Sequence, residues 1–191
     1  GVEDARETAR LAGKALQVSP NRVLVMSTGV IGQRRPMEKI ARGIELGAAA
    51  LAANDGHAAA RAIMTTDTHP KEAAVRIKLG GREVTVAGMA KGAGMISPNM
   101  ATLLALILTD ARVEPVALDA MVRAAAERSF NCITVDGDMS TNDTFLVLAN
   151  GLADNEPITD CTSPGYTALE QAIVAVAQEL ARLSERGLPE P

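Results

Sequence analysis

The chain has few aromatic residues and no excess of basic ones. Only 2% of its 191 residues are aromatic, Trp is absent, and the formal net charge is −4. Proteins that bind single-stranded nucleic acids stack the bases on aromatic rings and attract the phosphates with Lys and Arg. Both features are missing, so we do not expect a nucleic acid as the partner.

Cysteine and histidine are scarce as well. Cys132 and Cys161 are far apart, and neither forms a Cys-x-x-Cys motif or lies near a histidine. We therefore expect no metal site. The sequence does not decide whether the two cysteines form a disulfide, although a protein in a reducing cytosol does not need one. We expect His57 in a solvated helix and His69 in a loop, both without a catalytic role.

Long apolar runs are also absent. None reaches the roughly 18 residues that a membrane-spanning helix needs, and the charged residues 1–10 do not resemble a secretory signal. We therefore expect a cytoplasmic protein that does not bind membranes. Because the chain begins without Met and inside an amphipathic pattern, we also expect that the native N-terminus is missing.

Ala, Leu, Val, Ile and Gly make up most of the chain, which is typical of an α/β protein with layered sheets and Ala-rich helices. The length allows one domain or two small lobes. Gly80-Gly81 predicts a two-residue hairpin turn. Apolar spacing predicts helices at residues 4–17, 36–52, 55–63, 115–128 and 164–186, and strands at 22–27, 73–79, 82–89, 102–109, 130–135 and 144–149.

The chain is organised around residues 88–110. A glycine-rich segment with one lysine, Lys91, leads to Thr102, which is followed by six apolar residues. A β-branched residue is ordinary at the start of a buried strand. A tight glycine loop could instead expose the Ala101 carbonyl to the Thr102 hydroxyl. Attack there would turn the peptide bond into an ester, and hydrolysis would leave Thr102 with an α-amine that serves as its own base.

Several polar segments have more than one interpretation. The Lys91 loop lacks the Gly-Lys-Ser/Thr order of a Walker A motif, and Ser97 stands where a dinucleotide fingerprint needs glycine. Residues 28–32 are either an ordinary connection or a loop whose N–H groups face a ligand. Residues 65–68 supply turn bonds or line a polar pocket. Residues 136–143 lack the order of a calcium loop, and we interpret them as a polar loop beside the active site.

Residues 91–102 resemble the self-cleavage site of the ornithine acetyltransferases, the glutamate N-acetyltransferases of arginine biosynthesis. Three more segments occur in that family's order and close to its spacing: 27–32, 64–71, and 131–138 with 140–144. The resemblance extends to about position 180. It implies an N-terminal-nucleophile architecture, similar to the scaffold shared with aminopeptidases, with cleavage between Ala101 and Thr102. The expected products are an α-chain portion, residues 1–101, and a β-chain portion, residues 102–191.

The resemblance also implies roles for individual residues. Thr102 would be the nucleophile, and Thr28 and Gly29 would form the oxyanion hole. Thr65, Lys91 and Thr102 would contact the substrate. The implied reaction moves the acetyl group of N2-acetylornithine to glutamate through an acetyl-threonine, without a metal or other cofactor. Some family members also accept acetyl-CoA.

The family assembles as oligomers of cleaved α and β chains, so we expect an oligomer here. Family members continue beyond the last helix of this sequence, and we therefore expect truncation at both ends. Two alternatives stay open. One is an aminopeptidase or amidase on the same scaffold, with water as the acceptor. The other is an uncleaved, inactive fragment that serves as an assembly partner.

Overall fold

The computed structural model describes residues 1–30, 32–51, 55–92, 103–133 and 142–186. The chain forms two compact units, Gly1–Gly56 and His57–Pro191. These compact units do not correspond to the expected α- and β-chain portions, which are defined by the predicted cleavage between Ala101 and Thr102. Within the described residues, no helix is both long and apolar enough to cross a membrane.

The first unit contains two helices that pack against each other, α1 (Val2–Leu16) and α2 (Met37–Ala49). The C-cap residue of helix α1, Gln17, has a left-handed φ of 57°. The Val18 N–H then donates to the Gly13 carbonyl at 2.9 Å, which satisfies a carbonyl of the last helical turn. A short 3₁₀ helix, Pro20–Arg22, follows.

The strand predicted at residues 22–27 is wrong. Arg22 belongs to the 3₁₀ helix, and residues 23–30 have no regular secondary structure. The Val-Leu-Val-Met sequence has the composition of a strand. A strand also needs a hydrogen-bonded neighbour, and the described residues of Gly1–Gly56 contain no strand that could pair with it.

The second unit is built on a four-stranded sheet in the order β1-β2-β3-β4. Strands β1 and β2 pair antiparallel, as do β2 and β3, whereas β3 and β4 are parallel. A parallel pair needs a crossover, and α4 supplies it. The elements are α3 (Gly56–Ala62), β1 (Lys71–Leu79), β2 (Arg82–Lys91), β3 (Leu104–Thr109), α4 (Pro115–Glu127), β4 (Thr144–Ala149) and α5 (Tyr166–Arg186).

The core of this unit lies between one face of the sheet and helix α5. Gly88 in β2 allows the close packing, because an added Cβ would lie 2.9 Å from Ile107 Cγ1 and 3.1 Å from Leu180 Cδ1. The predicted hairpin turn is confirmed: Gly80 and Gly81 have φ of 56° and 83°, as a type I′ turn requires. Fully buried apolar residues of this core include Val84, Val86, Ile107, Leu169, Ile173, Val176 and Leu180.

Phe130–Cys132 is a 3₁₀ helix, so the strand predicted at residues 130–135 is wrong for the part that is described. The Cys132 N–H donates to the Ser129 carbonyl at 2.8 Å, which closes a tight turn. Phe130 is buried and packs edge-on against Phe145, with ring centroids 5.1 Å apart. Phe130 therefore contributes to the core from a turn and not from a strand. The other predicted helices and strands, and the α/β class, are confirmed with shifted ends.

The strand directions bring the ends of all four strands together at one end of the sheet. Strands β1, β3 and β4 begin there and β2 ends there, so Lys71, Lys91, Leu104 and Thr144 are near one another. We call this the loop end, because residues 93–102 connect β2 to β3 at this end. The far end is the opposite one, where β3 and β4 finish.

Candidate active site at the loop end of the sheet

Asp67 is the centre of the hydrogen bonding at the loop end. Its side chain is fully buried and forms an ion pair with the ammonium of Lys71, which is also fully buried. The Gly92 N–H donates to Asp67 Oδ1 at 2.7 Å, and the Thr65 N–H donates to Oδ2 at 3.1 Å. One carboxylate thus joins the segment before β1 to the end of β2.

These donors keep Asp67 ionised despite its burial. Burial raises the pKa of the Asp67 carboxyl, whereas the bond from Lys71 and the two main-chain N–H donors lower it, and the net pKa is below the ordinary value. A buried ion pair is costly to desolvate and is stable only when hydrogen bonds satisfy its remaining groups. The two N–H donors meet that requirement.

Lys91 is a second buried lysine, 2% exposed, at the last position of β2. Burial lowers the pKa of its ammonium most strongly, the carboxylates of Asp67 and Asp143 raise it, and the charge of Lys71 lowers it again. The net pKa is below that of an ordinary lysine. Such a group is a cation with little water around it, which strengthens its interaction with a ligand carboxylate.

Asp143 belongs to the opposite side of this charge cluster, just before β4. Its Oδ1 accepts a hydrogen bond from the Leu103 N–H at 2.7 Å. The next residue, Thr144, donates its N–H to the Leu103 carbonyl at 2.9 Å. Both hydrogen bonds fix the main chain at Leu103, which follows the predicted nucleophile, Thr102, in the sequence.

A sequence model described as the ArgJ family matches residues 1–186. The chain belongs to the ArgJ family. The arginine biosynthesis bifunctional protein ArgJ of Symbiobacterium thermophilum is 53% identical over 189 residues, a match that covers 97% of this chain and 47% of the relative. The corresponding protein of Caldanaerobacter subterraneus subsp. tengcongensis is 47% identical over 183 residues, covering 96% of this chain and 45% of the relative.

Among solved structures, the chain is similar to the crystal structure of the arginine biosynthesis bifunctional protein argJ from Bacillus halodurans. That match has 39% identity, a TM-score of 0.46 and 52% coverage of each chain. The chain spans about half the length of the curated ArgJ proteins that it matches. The resemblance seen in the sequence motifs is confirmed by the ArgJ family match.

The structure places some of the predicted ArgJ site residues together. Thr65 and Lys91 are both at the loop end, where Asp67 links the Thr65 N–H to Gly92, the neighbour of Lys91. Thr65 is exposed, so its hydroxyl is accessible to a ligand. The catalytic roles of these residues stay predictions.

The structure does not test the positions of the other predicted site residues relative to Lys91. Thr28 and Gly29 belong to the first unit, where Thr28 is half-buried and its carbonyl accepts a hydrogen bond from Arg35 Nη1 at 3.4 Å. An added Cβ at Gly29 would meet no atom within 4 Å. Ala101 and Thr102, the predicted cleavage site, are outside the described residues.

Sequence reasoning did not identify Asp67, Lys71 and Asp143 as members of one charge cluster. The excess of polar residues at 65–68 was a signal for Asp67, and Asp143 ends a segment interpreted as a polar loop. Lys71 gave no signal, because a lysine at the start of a strand is normally solvated. Its complete burial becomes visible only when the strands are assembled.

Histidine and cysteine are placed outside the charge cluster. His57 is exposed in α3, with Nδ1 2.5 Å from Glu72 Oε2, and His69 Nδ1 is 3.0 Å from the Thr68 hydroxyl. Cys132 and Cys161 are exposed free thiols. The disulfide that the sequence left undecided is therefore not formed. Over the described ranges, no three His, Cys, Asp or Glu side chains are grouped to hold a metal ion.

Proposed function

We propose that this chain carries the nucleophile and part of the substrate site of a glutamate N-acetyltransferase. The nucleophile is Thr102, made available by self-cleavage after Ala101. The acetyl donor is N2-acetylornithine and the acceptor is glutamate, so the reaction serves arginine biosynthesis. The observation that carries the proposal is the buried Lys91, whose charge interacts with the carboxylates of Asp67 and Asp143, at the end of the sheet where β2 ends and β3 begins.

Self-cleavage begins with the Thr102 hydroxyl. Its oxygen attacks the Ala101 carbonyl carbon, the peptide C–N bond breaks, and the proton moves to the nitrogen that becomes the Thr102 α-amine. Water then hydrolyses the resulting ester, which leaves a carboxylate on Ala101 and restores the Thr102 hydroxyl. An α-amine with a pKa of about 8 is suited to accept the hydroxyl proton in later turnovers.

Acetyl transfer uses the same hydroxyl in two steps. The Thr102 oxygen attacks the acetyl carbonyl of N2-acetylornithine, and ornithine leaves with the proton that the α-amine accepted. The amine of glutamate then attacks the acetyl-threonine ester, which releases N-acetylglutamate and returns the proton to Thr102. This relay needs no metal or nucleotide and predicts ping-pong kinetics.

The remaining predicted residues have roles that fit their chemistry. Thr28 and Gly29 supply donors to the oxyanion of each tetrahedral intermediate, and one such donor contributes roughly 3 kcal/mol. The Lys91 ammonium binds an amino-acid carboxylate as a point charge. The exposed Thr65 hydroxyl adds a neutral hydrogen bond to the substrate.

Strand pairing in the sheet supports the proposal that the two portions stay together after cleavage. Strand β2 belongs to the α-chain portion and β3 to the β-chain portion, and the two pair antiparallel from Val86–Thr109 to Lys91–Leu104. Helix α5 of the β-chain portion also packs on β1 and β2. We propose that the two cleaved chains remain paired as one unit of a cytoplasmic oligomer.

An intact mass spectrum of the complete gene product that carries this sequence tests the proposal. We expect two fragments that meet at Ala101/Thr102, and an acetyl group on the fragment beginning with Thr102 after incubation with N2-acetylornithine. The variant Thr102→Ala should remain a single chain and gain no acetyl group. A parallel incubation with acetyl-CoA shows whether it also serves as a donor.

The identity of the acetyl acceptor distinguishes a transferase from a hydrolase. Loss of the acetyl group that depends on glutamate and yields N-acetylglutamate supports the proposal. Equal loss in glutamate and in buffer would mean that water is the acceptor, as in an aminopeptidase or amidase. A wild-type protein that stays uncleaved and unacetylated would make it an inactive member of the family.

A further inference from the structure

Two aspartates bind the residues that flank the segment 93–102 in the sequence. The Gly92 N–H, immediately before this segment, donates to Asp67 Oδ1, and the Leu103 N–H, immediately after it, donates to Asp143 Oδ1. Both distances are 2.7 Å. Hydrogen bonds from a main-chain N–H to a carboxylate are charge-assisted and stronger than those between neutral groups.

The Asp143 side is held more completely. Leu103 is 3% exposed, its N–H is bound by Asp143, and its carbonyl accepts the Thr144 N–H. Two consecutive residues therefore fix the peptide groups on both sides of Leu103. Its neighbour Leu104 already pairs with Lys91 and Thr144 in the sheet.

Covalent geometry extends this constraint to the preceding residue. The six atoms of a peptide unit, from one α-carbon to the next, lie close to a plane. Whatever fixes the direction of the Leu103 N–H therefore restricts the plane that contains the α-carbon of residue 102. Asp143 is the side chain that binds this N–H.

We propose that Asp143 is a positioning residue for Thr102, acting through its hydrogen bond from the Leu103 N–H. The inference rests on the proposed function, in which Thr102 is the nucleophile. After cleavage, the Asp67 bond is on the portion that ends at Ala101, whereas the Asp143 bond remains on the chain that begins with Thr102. Asp143 therefore acts both in cleavage and in every later acetyl transfer.

The far end of the sheet offers a matched control. Asp110 Oδ1 accepts the Thr85 N–H at 2.8 Å, so it forms the same kind of bond as Asp143 at the opposite end of β3. The test compares Asp143→Ala, Asp143→Asn and Asp110→Ala in the complete gene product. Asparagine keeps an oxygen that can accept the Leu103 N–H, whereas alanine does not.

Cleavage is followed by intact mass, and turnover is then expressed per cleaved chain, so that slow processing is not mistaken for slow catalysis. We expect Asp143→Ala to lower both the cleavage rate and kcat by about 10²-fold, because a displacement of the reacting group by about 1 Å has that effect. KM should change little. Asp143→Asn should remain within about tenfold of wild type, the residual loss reflecting the missing charge beside Lys91.

Asp110→Ala should lower Tm by a similar amount to Asp143→Ala while kcat stays within about twofold of wild type. The inference is overturned if Asp143→Ala keeps a wild-type kcat, if Asp110→Ala reduces kcat as much, or if Asp143→Asn gives no recovery. A wild-type protein that neither cleaves nor takes up acetyl from N2-acetylornithine would instead overturn the proposed function, and the role of Asp143 with it.

Discussion

Side chains bind main-chain groups at both ends of the sheet, but the loop end also contains buried lysines. At the far end, the hydroxyl of buried Thr109 donates to the Thr85 carbonyl at 2.8 Å, and the amide of buried Asn155 bonds both the N–H and the carbonyl of Arg112. At the loop end, the main chain is bound by carboxylates, and two buried lysines, Lys71 and Lys91, accompany them.

The difference supports the proposal that the functional site is at the loop end. At the far end, neutral Thr109 and Asn155, together with the half-buried carboxylate of Asp110, bind main-chain groups without a buried lysine among the described residues. Buried charges cost more to desolvate, and replacing a buried ion pair with apolar residues is often neutral or stabilising. Folding alone therefore does not explain the charges at the loop end, which supports the proposal that this end binds a polar substrate.

The largest effect should come from breaking the buried pair. Lys71→Met leaves the Asp67 carboxylate buried without its cation, and loss of one partner of such a pair costs about 3–5 kcal/mol. Urea unfolding measures this change in the free energy of unfolding. Lys78→Met, an exposed lysine on the same strand, should stay within about 0.5 kcal/mol of wild type.

A double variant sharpens this test. Asp67→Leu combined with Lys71→Met replaces the pair by apolar side chains, so it should recover much of the stability that Lys71→Met loses. Cleavage at Ala101/Thr102 should not recover, because the Gly92 N–H has lost its acceptor. A double variant that regains both stability and cleavage would show that the pair is only structural.

The next effect concerns Lys91 and activity. Lys91→Met removes a buried cation, but Lys71 remains as the ion-pair partner of Asp67, so the loss of stability should be smaller than that of Lys71→Met. We expect kcat/KM for N2-acetylornithine to fall by about 10²–10³-fold, comparable to the loss of one preorganised donor. Lys78→Met is again the control. An unchanged kcat/KM would remove Lys91 from the substrate site.

A smaller effect is expected at the far end. Asn155→Ala removes a buried amide and leaves the Arg112 N–H without its acceptor, which costs about 1–3 kcal/mol, while the Arg112 carbonyl keeps its bond from the Ile158 N–H. Turnover per folded molecule should equal that of wild type. If Asn155→Ala lowers kcat without lowering stability, the contrast between the two ends of the sheet is wrong.

The smallest effect should appear in the pH dependence of stability, because burial opposes the hydrogen bonds that lower the pKa of Asp67. A carboxyl whose pKa is lower in the folded than in the unfolded chain stabilises the fold at high pH. The contribution is complete above about pH 5, since an unfolded aspartate titrates near pH 3.9, and it is lost as the pH falls through the folded pKa.

Unfolding of wild type and Asp67→Asn between about pH 6 and pH 3 measures this contribution. The difference between the two curves isolates Asp67, because Glu7 and Asp160, whose pKa values are also lowered, are present in both proteins. We expect the difference to shrink as the pH falls. A difference that does not vary with pH would contradict a lowered pKa for Asp67.

Local patterns made most of the fold predictable. Gly80-Gly81 dictates its turn through positive φ values, and apolar spacing locates α4, β4 and α5. The two incorrect strands, at residues 22–27 and 130–135, have suitable side chains, but no partner strand is described for the first, and a tight turn forms at the start of the second. Strand pairing is a non-local property, which composition does not reveal.

The candidate site was only partly predictable for the same reason. Lys91 and Thr65 were recognised from motifs, and the structure brings them together through Asp67. The burial of Lys71 depends on which residues cover the first position of β1. The bond between Asp143 and Leu103 joins positions 40 residues apart in the sequence. No local pattern specifies such a contact.

The sequence by itself determined the helices and most strands, the family, and the residue types available for chemistry, because these depend on side-chain identity and short-range spacing. Only the tertiary structure decided which charges are buried and what they hold. Antiparallel and parallel pairing place the ends of four strands together, and that arrangement removes Asp67, Lys71 and Lys91 from water. The electrostatics of the site follow from this desolvation and not from the charges alone.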